Sequence, residues 1–282
     1  MSRESIQEIV CVLGQPVSGN PTQYIMERAF AKAGLDWRYL TLEVGPADLA
    51  DAMRGVRGMG FRGCNLTIPH KVAGIEHLDR LGESAALMGA VNCVQRVGQE
   101  LVGENTDGKG FLQSLREVTD PAGQAIVLLG AGGAARAIGV ELALAGAREI
   151  TVVNRTVGRG EELSRLLTHK AHVPAPFILW EGNLQIPTGT DVVINATSVG
   201  LGDSRARLPI DLETLAPTTI AADVIFNPAE TDWLRAARDR GCRTLDGLGM
   251  LVNQAAIAFG LWTGVEPDRE LMRESLEEFL AI

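Results

Sequence analysis

Short apolar runs rich in Val, Ile and Leu alternate along the chain with segments whose apolar residues recur at helical spacing. In the first third, strand-like runs cover 9–14, 37–44 and 61–67, and helical patterns cover 22–34 and 46–58. Strands that alternate with helices in this way pair in parallel and are joined by crossover helices. The pattern therefore predicts an α/β domain at the start of the chain.

A second α/β unit is predicted after about residue 105. Two β-like runs at 90–97 and 101–105 flank a short Gly-containing turn and predict a hairpin at the edge of the first sheet. A helical segment at 107–118 then leads to further strand-like runs, which cover 125–130, 148–156, 191–197 and 221–227. Two more helical patterns close the chain, and no low-complexity linker separates the units. We expect the two domains to abut across a cleft.

The composition agrees with a protein of two ordinary globular domains. The chain has 282 residues, of which 46% are hydrophobic and 22% are charged, and its formal net charge is −9. This acidic balance argues against nucleic acid and anionic membrane surfaces as partners. No apolar stretch approaches the roughly 20 residues of a membrane span, and the first residues lack the apolar core of a signal peptide. We expect a cytoplasmic location.

A glycine-rich turn follows the strand-like run at 125–130. Gly130, Gly132 and Gly133 stand between this run and a helical pattern. Such glycines let the backbone approach a pyrophosphate, whose charge is stabilised by the free N–H groups of a helix N-terminus. The spacing differs from the strict G-x-G-x-x-G, so the alternative is a tight turn without a ligand.

The end of the next strand-like run indicates which dinucleotide is bound. NAD sites place an acidic residue there to accept from the ribose 2′-hydroxyl, whereas this chain has Asn154, Arg155 and Thr156. A guanidinium can bind a 2′-phosphate through two parallel hydrogen bonds and can stack on adenine. The residues predict NADP rather than NAD.

Two polar segments contain residues suited to carbonyl reduction. Lys71 follows the third strand-like run, and Asp107 stands at the junction of the two units. In a cleft, the ammonium could donate to a developing alkoxide, and the carboxylate could orient the lysine and stabilise its charge. From spacing alone, the alternative is two solvated surface charges. His169 and His172 have no nearby acidic or cysteine partner, so no metal site is expected.

Seven motifs occur in order across nearly the whole chain. They are NLTIPHK at 65–71, GAVN at 89–92, NTDG at 105–108, GAGGAAR at 130–136, NRT at 154–156, NATS at 195–198 and GLGMLVNQ at 247–254. On these motifs the chain resembles the shikimate dehydrogenase family. The resemblance implies two α/β domains: an N-terminal substrate domain at 1–107 plus 249–282, and a Rossmann-type NADP domain at 108–248.

The resemblance also implies an activity and a set of site residues. The activity is the reversible NADP-dependent reduction of 3-dehydroshikimate to shikimate, a step toward chorismate and the aromatic amino acids. Lys71 and Asp107 are the implied catalytic pair, and Thr67, Asn92 and Gln254 are implied substrate ligands. The implied cofactor contacts are Gly130, Ala131, Gly132, Gly133, Ala134, Asn154, Arg155, Thr156, Thr197, Ser198, Gly247 and Met250.

The chain departs from the family pattern where the substrate carboxylate is held. Family members carry His-Ser-x-Ser-Pro after the first strand, and here the aligned residues are Gly19, Asn20, Pro21, Thr22 and Gln23. The amide of Asn20 and the hydroxyl of Thr22 can still donate to a carboxylate, so both are expected substrate ligands. A tyrosine usual in the second domain is replaced by Phe226, which removes one hydroxyl.

Two further interpretations stay open at this point. The chain could act on quinate or another cyclic polyol acid, or it could be an NADP-binding sensor without turnover. Lys71 and Asp107 favour an enzyme, because a sensor has no need of both groups. The expected partner is a small-molecule substrate, and the expected assembly is a monomer or a homodimer.

Overall fold

A computed structural model describes residues 6–282 and divides the chain into two compact units. The first unit combines the residues up to Thr106 with Gln254–Ile282, and the second unit is Asp107–Asn253. Both units are α/β, as the alternating pattern predicts. The sequence-based boundaries, 1–107 plus 249–282 and 108–248, stay our proposal for the two domains.

The first 105 residues contain six strands and four helices in the described part of the chain. In chain order these elements are β1 (Glu8–Gly14), α1 (Thr22–Lys32), β2 (Trp37–Glu43), α2 (Leu49–Gly58), β3 (Gly63–Leu66), α3 (His70–Ala73), β4 (Arg80–Leu81), α4 (Glu83–Met88), β5 (Cys93–Val97) and β6 (Glu100–Glu104). Helix α1 buries Ile25, Met26, Ala29 and Phe30 on one face, which is the apolar face that its sequence spacing predicts.

The rest of the chain supplies the second sheet and the last helices. These elements are α5 (Thr106–Arg116), β7 (Ala125–Leu129), α6 (Gly133–Leu144), β8 (Glu149–Asn154), α7 (Val157–His169), β9 (Phe177–Leu179), β10 (Leu184–Gln185), β11 (Val192–Asn195), β12 (Ile210–Asp211), β13 (Ile220–Asp223), α8 (Asp232–Asp239), β14 (Arg243–Leu245), α9 (Leu248–Thr263) and α10 (Arg269–Leu280).

The first unit contains a six-stranded mixed sheet with the order β2-β1-β3-β5-β6-β4. Strand β1 pairs in parallel with β2 and β3, and the hairpin β5–β6 pairs antiparallel to β3. The hairpin is therefore confirmed, but its predicted place at the sheet edge is wrong because β4 pairs with β6 outside it. A strand of two residues is too short to give a periodic signal in the sequence.

The second unit contains a six-stranded sheet with the order β14-β13-β11-β7-β8-β9, and every pair in it is parallel. Its central strands are buried on both faces, which explains their continuous apolar runs. The strand order reverses between β7 and β11, where the chain continues to opposite sides of the sheet. In open α/β sheets the ligand crevice lies at this reversal, outside the carboxyl ends of the strands.

A buried polar pair joins the carboxyl ends of β11 and β13. The Asn195 amide donates to Asp223 Oδ1 at 2.9 Å, and the Thr231 hydroxyl donates to Asp223 Oδ2 at 2.7 Å. Asp223 is fully buried, and burial raises the pKa of its carboxyl from 3.8 to about 6 although these hydrogen bonds lower it. The folded protein therefore takes up a proton at Asp223 more readily than the unfolded chain does.

This shift predicts how Asp223 contributes to stability as the pH changes. The contribution of its protonation to the free energy of unfolding is greatest below about pH 4 and declines as the pH rises to about 6. Asp223→Asn should remove this decline, which amounts to roughly 3 kcal/mol at most. Urea unfolding between pH 4.5 and 7 would measure the difference between wild type and variant. Asp239→Asn, at an exposed position on α8, is the control, and a wild-type minus Asp223→Asn difference that does not change with pH would contradict the prediction.

Candidate functional site

A cavity of about 520 Å³ lies at the carboxyl edge of the parallel sheet in the second unit. The turns after β7, β8 and β11 meet there, as expected at the reversal in strand order. Its lining residues are Gly130, Ala131, Gly132, Asn154, Arg155, Thr156, Arg159, Trp180, Gly182, Ala196, Thr197, Ser198, Val199 and Pro209. Eight predicted cofactor contacts are thus brought together in one cavity.

The glycine turn leaves open space where a phosphate group would lie. Gly130 has a φ of 106°, and a Cβ on it would lie 2.9 Å from the Ala196 carbonyl oxygen, so the fold itself requires this glycine. In contrast, a Cβ on Gly132 or Gly133 would meet nothing within 4 Å. These two glycines keep clear the N-terminus of α6, where free N–H groups favour an anion. The turn therefore fits a pyrophosphate.

Two guanidinium groups line the cavity beyond the end of β8. Arg155 follows the strand directly, and Arg159 lies in the first turn of α7; both are exposed. Within residues 6–282, the cavity lining includes neither Asp nor Glu. Two cations suit the 2′-phosphate of NADP. An NAD site, in contrast, has an acidic residue that binds the ribose, and the described lining contains no such residue. Sequence reasoning missed Arg159, although its position four residues after Arg155 is the signal that could have revealed it.

Buried hydrogen bonds fix the turn after β11. Asn195 Oδ1 accepts from the backbone N–H of Thr197 at 3.1 Å and from its hydroxyl at 2.7 Å. The Asn195 amide group also donates to the Val199 carbonyl at 3.2 Å. Thr197 and Ser198 therefore line the cavity on a turn whose backbone is set by one buried side chain.

Four of the predicted cofactor contacts do not line this cavity: Gly133, Ala134, Gly247 and Met250. Gly247 has a packing reason to be glycine, because a Cβ there would lie 2.5 Å from the Ile225 carbonyl oxygen. Met250 is half-buried in the first turn of α9. The cofactor roles of these four residues stay predictions.

In the first unit, the carboxyl ends of β1 and β3 bring two predicted substrate loops side by side. The Gln15 N–H donates to the Ile68 carbonyl at 2.9 Å, and the Thr67 N–H donates to the Leu13 carbonyl at 3.0 Å. The loop after β1 carries Asn20 and leads to Thr22, and the loop after β3 carries Thr67 and leads to Lys71. The parallel pairing of β1 and β3 therefore explains why these segments are neighbours.

Backbone hydrogen bonds bring Lys71 and Asn92 into the same region. The Val91 N–H donates to the Lys71 carbonyl at 2.7 Å, and the Leu66 N–H donates to the Asn92 carbonyl at 2.9 Å. Lys71 is half-buried, and Asn92 is 4% exposed. Asn92 Oδ1 accepts from the Thr106 N–H at 2.7 Å. Asp107 is the residue that follows Thr106 in the chain.

Asn65 supports Asn92 from within the core. Its amide group donates to the Asn92 carbonyl at 2.9 Å, and its oxygen accepts from the buried Tyr39 hydroxyl at 2.6 Å. Asn65 thus shapes the region around Asn92 through hydrogen bonds to protein groups. The neighbouring His70 is also committed to the fold, because its Nε2 lies 2.7 Å from the Val44 carbonyl oxygen. Gln254 is buried on α9 in the same unit.

The loop that departs from the family pattern has a fixed Asn20. Asn20 Oδ1 accepts from the Thr22 N–H at 2.9 Å, which leaves its NH₂ group as the hydrogen-bonding group of this side chain. Asn20 also lines a cavity of about 430 Å³ together with Glu27. In the described part of the chain, no Lys or Arg lines that cavity. None of the other predicted substrate residues lines this cavity, and Glu27 Oε1 accepts from the Tyr39 N–H at 2.7 Å.

Neither a membrane span nor a metal centre is found in residues 6–282. No described helix is long and apolar enough to cross a bilayer. No described group of three or more His, Cys, Asp or Glu side chains is arranged to hold a metal ion.

Family models match three parts of the chain. The shikimate dehydrogenase substrate binding domain matches 12–94, Shikimate / quinate 5-dehydrogenase matches 113–200, and the Shikimate 5′-dehydrogenase C-terminal domain matches 247–277. The matched ranges include the turns at 130–132 and 154–156, which line the 520 Å³ cavity of the second unit. They also include residues 19–23, three of which line the 430 Å³ cavity of the first unit.

Known proteins resemble the chain over nearly its full length. Shikimate dehydrogenase (NADP(+)) of Moorella thermoacetica is 42% identical, over 96% of this chain and 92% of its own. A ligand-free 5-ketofructose reductase of Gluconobacter sp. strain CHM43 is 48% identical with a TM-score of 0.95, over 97% of this chain and 99% of its own. Shikimate 5-dehydrogenase from Listeria monocytogenes, solved with shikimate and NAD, is 34% identical with a TM-score of 0.93, over 98% and 99%. The chain belongs to the shikimate dehydrogenase family.

Proposed function

We propose that the chain catalyses the reversible NADP-dependent reduction of a ketone to a secondary alcohol on a polyhydroxylated substrate. The chain is an oxidoreductase by its family, and its curated relatives use NADP. The main observation in favour of NADP is the pair Arg155 and Arg159. They line a cavity whose described lining contains no acidic residue. The intact Lys71 and Asp107 favour an enzyme over a sensor of the nucleotide.

The cavity of the second unit offers a surface for each charged part of NADP. The turn Gly130–Ala131–Gly132 and the N-terminus of α6 would hold the pyrophosphate, and Arg155 with Arg159 would hold the 2′-phosphate. Asn154, Thr156, Thr197 and Ser198 would complete the lining. When bound, the reduced cofactor supplies a hydride.

Proton transfer would be the task of Lys71, in the first unit, and of Asp107, the first residue of the second unit. The Lys71 ammonium would donate a proton from Nζ to the carbonyl oxygen as the hydride reaches the carbonyl carbon, and would take it back in alcohol oxidation. Asp107 would orient this lysine and stabilise its charge. Thr67, Asn92 and Gln254 would bind the substrate's hydroxyl groups, and the bonds from Asn65 and Thr106 pre-orient Asn92.

The substrate that this site supports best is a neutral keto sugar. Asn20 and Thr22 replace the two serines expected at the carboxylate site, and Phe226 lacks a hydroxyl. The 5-ketofructose reductase, which is 48% identical, is named for a substrate of this kind. The replaced serines and this relative favour a substrate without a carboxylate.

The second candidate is the reduction of 3-dehydroshikimate to shikimate. It is favoured by 42% identity to a shikimate dehydrogenase and by the donors that Asn20 and Thr22 retain. Quinate or another cyclic polyol acid belongs to the same class of carboxylate substrates. In either case we propose a cytoplasmic enzyme with a small-molecule partner, active as a monomer or a homodimer.

The role of Lys71 predicts a loss of turnover without a loss of cofactor binding. Lys71→Met keeps the aliphatic length and removes the proton donor, so kcat should fall by about 10²- to 10⁴-fold. Steady-state rates with NADPH would measure this fall, and the affinity for 2′,5′-ADP should stay unchanged because its proposed site is in the second unit. A variant with near wild-type kcat would show that Lys71 is not the proton donor.

The proposed role of Arg155 predicts that its removal selectively lowers the affinity for NADP⁺. Arg155→Ala should weaken NADP⁺ binding about tenfold or more and leave NAD⁺ binding nearly unchanged, because only the 2′-phosphate interacts with this charge. Isothermal titration calorimetry would measure both affinities. Arg165→Ala, exposed on α7 and outside the cavity, is the matched control. Equal weakening of both cofactors would indicate a structural role for Arg155.

If Asn20 and Thr22 contact the substrate, they should determine which substrate the enzyme prefers. Wild type should have a higher kcat/KM for 5-ketofructose than for 3-dehydroshikimate, and the double variant Asn20→Ser, Thr22→Ser should shift this ratio about tenfold or more toward 3-dehydroshikimate. The physical reason is that two small hydroxyl donors replace a fixed amide and a methyl-bearing side chain. Gln99→Ala, at an exposed position between β5 and β6 that does not line the cavity beside Asn20, should leave the ratio unchanged. If the double variant also leaves it unchanged, these two residues do not determine specificity.

A further inference from the structure

Trp180 lies beside the segment that is proposed to bind the 2′-phosphate. It directly follows β9, and its backbone N–H donates to the Asn154 carbonyl at 3.0 Å. Because β8 and β9 pair in parallel, Trp180 leaves the sheet next to the residue that precedes Arg155. Sequence analysis gave this residue no role, since β9 has only three residues and no clear period.

The indole of Trp180 has a fixed position in the cavity wall. Its Nε1–H donates to the Pro209 carbonyl at 3.1 Å, and both residues line the 520 Å³ cavity. The half-buried side chain also packs against the hydrophobic core of the second unit. The indole is therefore held by one hydrogen bond and by core contacts while part of it is available to a ligand.

Helix α7 is fixed against the same strand. A Cβ on Gly160 would lie 2.1 Å from the ring of Phe177, the first residue of β9, so the helix packs directly on this strand. Arg159 precedes Gly160 in the helix, and it lines the cavity together with Trp180. Two cations and an aromatic side chain are thus presented by neighbouring elements.

The phosphate groups of an NADP molecule bind to cations, whereas its adenine ring binds to a flat apolar surface. The glycine turn suits its pyrophosphate and the arginines suit its 2′-phosphate, but neither accounts for Trp180 and Pro209 in the lining. Aromatic side chains bind nucleobases by stacking, with little dependence on hydrogen-bond pattern. We propose that Trp180 binds the adenine ring of the dinucleotide through its indole, an inference that rests on the proposed cofactor and refines its site.

This assignment has a consequence that separates Trp180 from Arg155. NADP⁺, NAD⁺ and 2′,5′-ADP all contain adenine, so loss of the indole weakens all three by the same factor. Nicotinamide mononucleotide lacks adenine and is unaffected. Loss of Arg155, in contrast, affects only the ligands that carry the 2′-phosphate.

The experiment is calorimetric titration of these four ligands into wild type and the variants Trp180→Leu and Trp180→Phe. Trp180→Leu keeps apolar volume without an aromatic face and is expected to weaken the three adenine ligands by about five- to a hundredfold. Trp180→Phe keeps a smaller ring and is expected to weaken them by less. Trp233→Phe is the matched control, because Trp233 is buried in the same unit, donates to the Ala222 carbonyl at 3.1 Å and does not line this cavity.

Tryptophan fluorescence provides a second readout. Addition of 2′,5′-ADP should change the emission of wild type and of Trp233→Phe, and this change should be absent from Trp180→Phe. Unchanged affinities in Trp180→Leu, or an equal loss in Trp233→Phe, would overturn the proposal and leave Trp180 as a core residue. If wild type does not bind 2′,5′-ADP, the proposed cofactor fails, and this assignment fails with it.

Discussion

The parallel pairing of the second sheet is the constraint on which its binding cavity depends. Because β7, β8 and β11 run in the same direction, the turns that follow them end at one edge of the sheet. The reversal of strand order between β7 and β11 then opens a crevice between the Gly130 turn and the Thr197 turn. A one-residue slip of β8 would move Arg155 out of this arrangement.

Both units use a buried amide to hold a functional turn. Asn195 binds the Thr197 turn and Asp223, and Asn65 binds the Asn92 carbonyl and the Tyr39 hydroxyl. An amide offers donors and an acceptor on a short side chain, so it can satisfy several backbone groups where water is excluded. Rigid turns of this kind lower the cost of orienting a ligand when it binds.

Sequence patterns predicted the regular strands and helices, and they missed residues whose positions depend on short elements. The apolar runs of β7 and β11 and the glycines after β7 indicated a nucleotide site, and Arg155 indicated its phosphate preference. Trp180 and Arg159 were missed because their positions depend on β9, a three-residue strand, and on a helix whose first turn contains Gly158 and Gly160. Asn20 was recognised by position, but the hydrogen bond that fixes its amide is visible only in three dimensions.

The charged residues that line the proposed cofactor cavity are opposite in sign to the net charge of the protein. The chain carries a net charge of −9, yet the described lining of the cavity at the carboxyl edge of β7, β8 and β11 has two arginines and no carboxylate. On the proposed function, such a placement would favour the cofactor that carries the additional phosphate group. The most direct test is calorimetric titration of wild-type protein with NADP⁺ and NAD⁺ at low and high salt. Binding of NADP⁺ about tenfold or more tighter than NAD⁺, with the gap narrowing as salt increases, is the predicted result; equal affinities at low salt would contradict it.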